Sequence, residues 1–265
     1  MTIWKHEMRR GMKALLAWSL VIGGMLAFCL MLFPELKQQV ASIQMMIDGL
    51  SKGFGGIVAA FGMDRLNYGE VMGFYGVYGG FMLGIGGMIY AGMIGCTMLA
   101  KEEKEHTAET LLSYPISRAG VCFFKWLSMV CQLLLMNVIV MLIAGVSFVM
   151  IGEKPALNTF WLYHLAQFFM QFEIACICFG ISAFLRKEGS GIGMGIAAIF
   201  YFLGVAGNIA EKAGVLRYIT PYAYADAAEI IASASLKWTL VGLGMAYAAA
   251  GMAAAFWRYA QKDIY

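Results

Sequence analysis

The stretch from Lys101 to Arg118, KEEKEHTAETLLSYPISR, concentrates ionisable side chains between two long apolar runs. Seven of its first nine residues are Lys, Glu or His, and the stretch turns apolar at Leu111 and Leu112 before Pro115 interrupts it. Carboxylates and ammonium groups in such a run can form charge-assisted hydrogen bonds with another protein. The alternative, typical of charge runs, is a solvated loop without a partner.

The local structure of this stretch follows from its residue types. Acidic and straight-chain residues favour helix, and Glu105 and Glu109 lie one turn apart on one face. Proline disfavours helical geometry at Tyr114, the residue before it. Ser117 can cap the next helix through its hydroxyl. The pattern predicts a short polar helix, a kink, and a second helix that re-enters an apolar run.

A second set of polar residues lies inside the apolar runs. His164, Gln167 and Gln171 share one helical face, while Glu173 points to another side. A carboxylate within a span is costly enough to suggest a function. One hypothesis is a polar lining to a substrate path, formed by Asn137, Gln167, Gln171 and Glu173. The other is hydrogen bonding between helices, worth about 0.6 kcal/mol per contact.

Motifs for enzymatic chemistry are absent from the sequence. No G-x-x-x-x-G-K-[ST] occurs, so the chain cannot cradle ATP phosphates by itself. There is no H-E-x-x-H, and the three histidines are too scattered to propose a metal site. The G-x-G-x-G at 191–195 begins an apolar run, which indicates helix packing. We therefore predict that this chain is not itself an enzyme and has no catalytic residue, metal or cofactor.

Composition places the chain in a membrane. It has 265 residues, of which 61% are hydrophobic and 13% charged, whereas soluble domains carry about 25% charged residues. The net charge of +3 is too small to indicate nucleic acid as a partner. The six cysteines form no C-x-x-C pair, which argues against a structural zinc site. The fold class is predicted as an all-α polytopic membrane protein.

The apolar runs predict the order of elements. Residues 1–13 have an apolar stripe and a basic flank, typical of an interfacial helix. Residues 101–118 form a loop between the second and third spans. Glycine spacing at 69–84 and 189–195 predicts close helix contacts. Six runs are long enough to cross a bilayer, at 14–33, 71–100, 121–152, 156–185, 189–210 and 237–257.

The distribution of Lys and Arg predicts the orientation. With the N-terminus inside, 12 of the 19 Lys and Arg residues lie in inner segments, which are also the shorter ones. This bias fits the positive-inside rule. It predicts cytoplasmic N- and C-termini and a cytoplasmic loop at 101–118.

The charged loop resembles a known family. The pattern read from Glu103 to Arg118 is similar to the cytoplasmic loop of the ABC-2 type transporter permeases. Thr220-Pro221-Tyr222 before the last span, and a short basic end at 257–264, fit the same family. The match in the loop is strongest at Thr107, Glu109, Leu111, Leu112, Ser113, Pro115, Ser117 and Arg118.

The resemblance implies a function. In this family the loop forms a coupling helix that docks onto a separate ATPase subunit, which binds ATP and Mg²⁺. The chain would be the permease subunit of an ABC exporter in the cell membrane, paired with a second copy or a related permease and working by alternating access. Helix 1–13 would form the family's elbow, and spans one and five the dimer contact. The implied coupling residues are Glu102, Glu103, Glu105, Thr107, Glu109, Leu111, Leu112, Pro115 and Arg118.

A rival hypothesis is a stand-alone secondary transporter or membrane scaffold without an ATPase. Such a transporter is expected to show an internal repeat between its halves. The second span is long and glycine-rich while the fifth is ordinary, and the loop at 101–118 has no counterpart near 186–188. These differences favour the ABC permease.

Overall fold

The computed structural model describes residues 2–40, 42–47, 49, 50, 58, 65–104, 116–187, 189–209 and 211–262. Within these residues every regular element is a helix. Six helical segments there are long and apolar enough to cross a membrane. The prediction of an all-α polytopic membrane protein with six spans is confirmed.

The helices follow one another in a simple order. The first span is a single helix, and the second is divided into an α-helix, a π-helix and another α-helix. A short helix follows it, and two 3₁₀ helices and a further α-helix connect the fifth span to the sixth. The bounds are α1 Thr2–Lys37, α2 Val71–Gly79, the π-helix Gly80–Ile85, α3 Gly86–Thr97, α4 Lys101–Lys104, α5 Arg118–Met150, α6 Leu157–Ser182, α7 Ser190–Ile209, the 3₁₀ helices Glu211–Tyr218 and Pro221–Ala223, α8 Ala227–Ser233 and α9 Trp238–Gln261.

Helix α1 is continuous where the sequence pattern predicts a boundary at residue 13. Its 36 residues span about 54 Å, against about 30 Å for the hydrocarbon core. The buried stripe of Met8, Leu15, Ile22 and Leu26 continues through the expected boundary and packs on α5. Gly11 alone does not end a helix, since glycine costs only about 1 kcal/mol in a helix interior. In the structure the predicted surface helix and the first span therefore form one continuous helix.

Helix α6 lies at the centre of the bundle, against α3 on one side and α9 on another, while α3 also packs on α7. The α3–α7 contact is a backbone contact, because a Cβ on Gly193 would overlap the Gly92 carbonyl oxygen. Gly191 and Gly195 would meet nothing within 4 Å. Residues two apart point to different sides of a helix, so only part of the predicted glycine row makes the contact.

Both ends of α5 have residues that commonly begin or end a helix. Ser117 caps the first turn as predicted, its Oγ accepting a hydrogen bond from Gly120 N at 3.1 Å. At the other end Gly152 has φ of 72°, a left-handed conformation that glycine adopts without steric cost. The chain can therefore reverse immediately into α6.

The hydrogen bonds distinguish two ends of the bundle. At one end, termed the terminal face, Arg118 donates to the Lys262 carbonyl at 2.6 Å, and Lys262 Nζ donates to the Leu185 carbonyl at 2.7 Å. At the other, the distal face, Lys37 pairs with Glu153 at 2.5 Å. The start of α5 and the ends of α6 and α9 thus meet near the C-terminus, while the end of α1 meets the α5–α6 turn.

Candidate functional site

Four ionisable side chains at the terminal face form a charge cluster, made of Glu7, Lys101, Glu102 and Lys125. Lys125 Nζ lies 3.2 Å from Glu7 Oε1 and donates to the Met98 carbonyl oxygen at 2.8 Å. The same ammonium pairs with Glu102, and Lys101 pairs with the second oxygen of Glu7. Two acids and two bases therefore balance one another.

The charge cluster is almost entirely removed from solvent. Lys125 is 0% exposed, Glu7 2% and Glu102 8%. A buried charge is tolerated only when it is paired and hydrogen-bonded. Each of the four groups has an ion-pair partner here, while the second oxygen of Glu102, Oε2, is buried without a hydrogen-bond partner among the described residues. Burial, reinforced by the charge of Lys125, lowers the pKa of the Lys101 ammonium, and Glu7 acts in the opposite direction. Removal of one of these groups would therefore leave a partner buried without its counter-charge.

The charge cluster joins three elements that are distant in the sequence. Glu7 lies on α1, Lys101 and Glu102 on α4, and Lys125 two turns into α5. The segment 105–115, which the structure does not describe, is flanked by α4 and α5. Both flanks of the predicted coupling loop are therefore held against the N-terminal helix.

The structure places three of the predicted coupling residues. Glu102 faces inward to Lys125, because the end of an apolar span brings the carboxylate beside a buried ammonium that needs a partner. Glu103 belongs to α4, and Arg118 donates to the Lys262 carbonyl. The others, Glu105, Thr107, Glu109, Leu111, Leu112 and Pro115, lie outside the described residues.

The amide side chains of the spans make hydrogen bonds inside the chain. Asn137 of α5 donates to the Gln171 side-chain oxygen of α6 at 2.6 Å. Gln167 donates to the Ala225 carbonyl at 3.0 Å. These three side chains are at most 7% exposed. The structure thus brings together Asn137 and Gln171 across the α5–α6 contact, as interhelical hydrogen bonding requires.

Glu173 has different partners. Its Oε2 accepts a hydrogen bond from Tyr224 Oη at 2.6 Å. It faces Gly244 of α9, where a Cβ would overlap the carboxylate. Arg217 and Tyr247 line the same narrow cleft, and both are exposed. Glu173 is therefore a buried carboxyl group that lines a narrow cleft together with exposed residues, separate from the Asn137–Gln171 pair.

The π-helix Gly80–Ile85 interrupts the second span opposite Tyr222. Tyr222 Oη donates to the Gly80 carbonyl oxygen at 2.7 Å. Two glycines make room for this side chain, since a Cβ on Gly84 would lie 2.5 Å from Tyr222 Oη and one on Gly204 2.7 Å from Tyr222 Cβ. A π-helix leaves backbone groups outside the regular α pattern and is frequent at functional positions.

Sequence reasoning missed Glu7 and Lys125 as site residues. A signal was present, because Glu7 lies beside the apolar stripe of Met8 and Leu15 and Lys125 follows two turns inside an apolar helix. An ionisable residue on such a face needs a nearby partner. The pairing itself depends on how α1 packs against α5, which spacing alone does not give.

The fold and these sites define a polytopic helical membrane protein in which both flanks of the charged loop are held by ion pairs and hydrogen bonds. A family model described as "ABC-2 family transporter protein" matches residues 1–264. The chain belongs to this family and is a permease of the ABC transporter type. Members of this family are membrane transport components and are not themselves catalytic. A comparison with the curated proteins finds no match.

Proposed function

We propose that this chain is the permease subunit of an ABC exporter and that its loop at 101–118 docks onto a separate ATPase subunit. ATP and Mg²⁺ bind to the ATPase, while this chain forms the translocation path together with a second copy or a related permease. Membership of the ABC-2 family supports this proposal, because the family normally works with ABC ATPase subunits.

The observation that carries the proposal is the charge cluster. Lys125 of α5 contacts Glu102 of α4, Glu7 of α1 and the Met98 carbonyl at the end of the second span. Any displacement of the loop that moves α4 relative to α5 changes these buried ion pairs. A movement of the loop is therefore transmitted to the first and second spans, which is the coupling between ATPase and permease that the proposed mechanism requires.

The orientation proposed for this mechanism places the terminal face in the cytoplasm. The excess of Lys and Arg in the segments at that face supports it. In the proposed cycle the nucleotide state of the ATPase biases the permease between inward- and outward-open states, which is how a ligand shifts a two-state element.

The polar residues of the spans divide between two roles. Asn137, Gln167 and Gln171 are hydrogen-bonded within the bundle, which supports a packing role in this conformation. Glu173 is the candidate for the translocation path, since it is a buried carboxyl group that lines a cleft with the exposed residues Arg217 and Tyr247.

The test of docking reverses the charge of the loop. In E105K/E109K we expect membrane insertion to persist while copurification of the ATPase and ATP-dependent transport are lost. The matched control is D48K/D64K, which makes the same charge change in the segment between the first two spans. Retained copurification and transport in E105K/E109K would contradict docking through this loop.

The test of orientation is independent of docking. A cysteine placed at Glu105, in a chain whose native cysteines are replaced by serine, is expected to react with a membrane-impermeant maleimide only after the cytoplasmic side is opened. Labelling of intact cells from outside would show that the orientation is the opposite of the proposed one and would exclude an ATPase at this loop.

A further inference from the structure

Three polar atoms on one face of α6 are buried without a hydrogen-bond partner among the residues that the structure describes. They are Tyr163 Oη, His164 Nδ1 and Gln167 Oε1, on side chains that are 0%, 5% and 1% exposed. Gln167 lies one helical turn after both of the others, so the three side chains share one face of the helix. Leaving a buried polar group unpaired is costly, and such groups in proteins are usually bonded to another protein group or to ordered water.

The other polar atoms of His164 and Gln167 hold these side chains in place. His164 Nε2 lies 2.8 Å from Tyr75 Oη of α2, and Gln167 Nε2 donates to the Ala225 carbonyl oxygen at 3.0 Å. Neither side chain can turn its unpaired atom elsewhere without breaking the bond that it already makes. His164 Nδ1 and Gln167 Oε1 therefore stay inside the contact between α6, α2 and the segment before α8.

The Tyr163 hydroxyl meets α2 where that helix has no side chain. A Cβ on Gly79 would lie 2.9 Å from Tyr163 Oη, so the position accommodates the hydroxyl only because it is glycine. Helix α2 ends at Gly79 and the π-helix begins at Gly80. The hydroxyl is thus flanked by glycine backbone, and no side chain from this position covers it.

The three atoms lie close to the distal face. Tyr163 is six residues after Leu157, the first residue of α6, which is about 9 Å along the helix axis. Tyr75 is four residues after Val71, the first residue of α2, which is about 6 Å. Trp161, in the same turn of α6, is 57% exposed, and tryptophan is enriched where a membrane meets water. The site is therefore near the boundary of the bilayer, where water is available, and away from its midplane.

We propose that Tyr163 Oη, His164 Nδ1 and Gln167 Oε1 bind ordered water, which forms a hydrated site inside the bundle. The ligand class follows from the groups. The glutamine oxygen accepts, the hydroxyl both donates and accepts, and the imidazole nitrogen does either according to its tautomer, so a ligand must supply both roles, as water does. The neighbouring groups named above are uncharged, so an ion would be buried there without a counter-charge, which is costly. The proposal depends neither on an ATPase nor on transport.

The experiment is X-ray radiolytic footprinting of the purified full-length chain in detergent micelles, with oxidation located by mass spectrometry. A short X-ray exposure produces hydroxyl radicals from the water itself, so a buried side chain is oxidised when water is bound beside it. We expect Tyr163 and His164 to be oxidised severalfold faster than Phe179, which is on the same helix and 0% exposed. Equally slow oxidation of all three residues would overturn the proposal.

Two adjacent glycines provide a variant and its matched control. Gly79→Ala places a methyl group against the Tyr163 hydroxyl and should slow the oxidation of Tyr163 severalfold. Gly80→Ala, where a Cβ would meet nothing within 4 Å, should leave that rate unchanged. Equal rates at Tyr163 in the two variants would contradict a hydrated site beside Gly79.

Tyr163→Phe is a test that does not depend on footprinting. If the hydroxyl is bonded to water, its removal takes away a hydrogen bond, and the melting temperature should fall. If the hydroxyl is unpaired in a dry interior, its removal relieves a cost, and the melting temperature should rise. A melting temperature equal to or above that of the natural chain would overturn the proposal.

Discussion

The Lys125 ammonium lies 3.2 Å from the Glu7 carboxylate, although 118 residues separate the two in the sequence. This contact connects the first span to the third at the face that carries the charged loop. Because Glu102 shares the same ammonium, the end of the second span is included in the connection. The stability of the terminal face and the proposed transmission of movement therefore depend on the same few atoms.

Replacement of Lys125 with Met should destabilise the protein strongly. The variant leaves Glu102 buried without its ammonium and removes one of the two partners of Glu7. Breaking a buried ion pair by removing one member costs about 3–5 kcal/mol, and we expect a loss of this size in unfolding measured in detergent micelles. Lys13→Met, at an exposed position of α1, should stay within about 0.5 kcal/mol of the natural chain.

A double variant separates the ion pair from simple packing. In K125M/E102L both members are replaced by apolar side chains, which is often neutral for a buried pair, while Glu7 keeps Lys101. The double variant should therefore be more stable than K125M alone. If it is equally unstable, the loss in K125M comes from the shape of the side chain and the pairing with Glu102 contributes nothing.

The spans were predictable from sequence because each is a long, predominantly apolar run, and such a run identifies a helix that can cross the bilayer. The charge cluster was not, because the partner of Lys125 is set by the packing of α1 on α5. The boundary expected at residue 13 is absent for a related reason. The buried stripe from Met8 to Leu26 continues across it, and tertiary packing favours a continuous helix through Gly11.

The π-helix illustrates a further limit of sequence patterns. Nothing in the run of glycines at 73–84 distinguishes an α-helix from a π-helix, since both leave the same residues apolar. The feature becomes visible only when Tyr222, 142 residues away, donates to the Gly80 carbonyl. The resemblance to the ABC-2 family had marked Tyr222 as part of a motif without giving it a contact.

The contact between α3 and α7 predicts opposite results for two neighbouring glycines. In Gly193→Ala the new methyl group overlaps the Gly92 carbonyl oxygen, and backbone cannot move aside as a side chain can. The helices must separate, which we expect to cost about 1–3 kcal/mol. Gly191→Ala meets nothing within 4 Å and should be neutral or stabilising by up to about 1 kcal/mol. Thermal unfolding of the two purified variants measures the difference, and equal losses would contradict the contact.

Tyr222→Phe should loosen the second span at its π-helix. The variant keeps the ring, which packs edge-on against Tyr201 at 5.1 Å between centroids, and removes only the hydroxyl that donates to the Gly80 carbonyl. The expected loss is about 1 kcal/mol, with faster amide hydrogen exchange at residues 80–90. Tyr201→Phe, which removes a hydroxyl from the other ring of the same pair, is the matched control. Equal exchange in both variants would show that the hydrogen bond does not hold the π-helix.

Glu173→Gln tests whether the buried carboxyl group serves transport or packing. Glutamine has nearly the same shape, and its side-chain oxygen can still accept the hydrogen bond from Tyr224, so the assembled complex should persist. The variant removes the ability to carry a charge or exchange a proton in the cleft that Glu173 and Arg217 both line. We therefore expect altered transport with intact assembly, measured by flux in proteoliposomes and by copurification.

Glu173→Leu completes the test because it removes the acceptor as well. Tyr224 is 4% exposed, so its hydroxyl would lose its partner in a buried position, at a cost of about 1–3 kcal/mol. If packing is the role of Glu173, assembly should fail in E173L and both assembly and transport should be normal in E173Q. If the carboxyl group acts in transport, E173Q should lose flux while remaining as stable as the natural chain. The glutamine variant therefore decides between the two roles, and the leucine variant shows that the contact with Tyr224 is large enough to be measured.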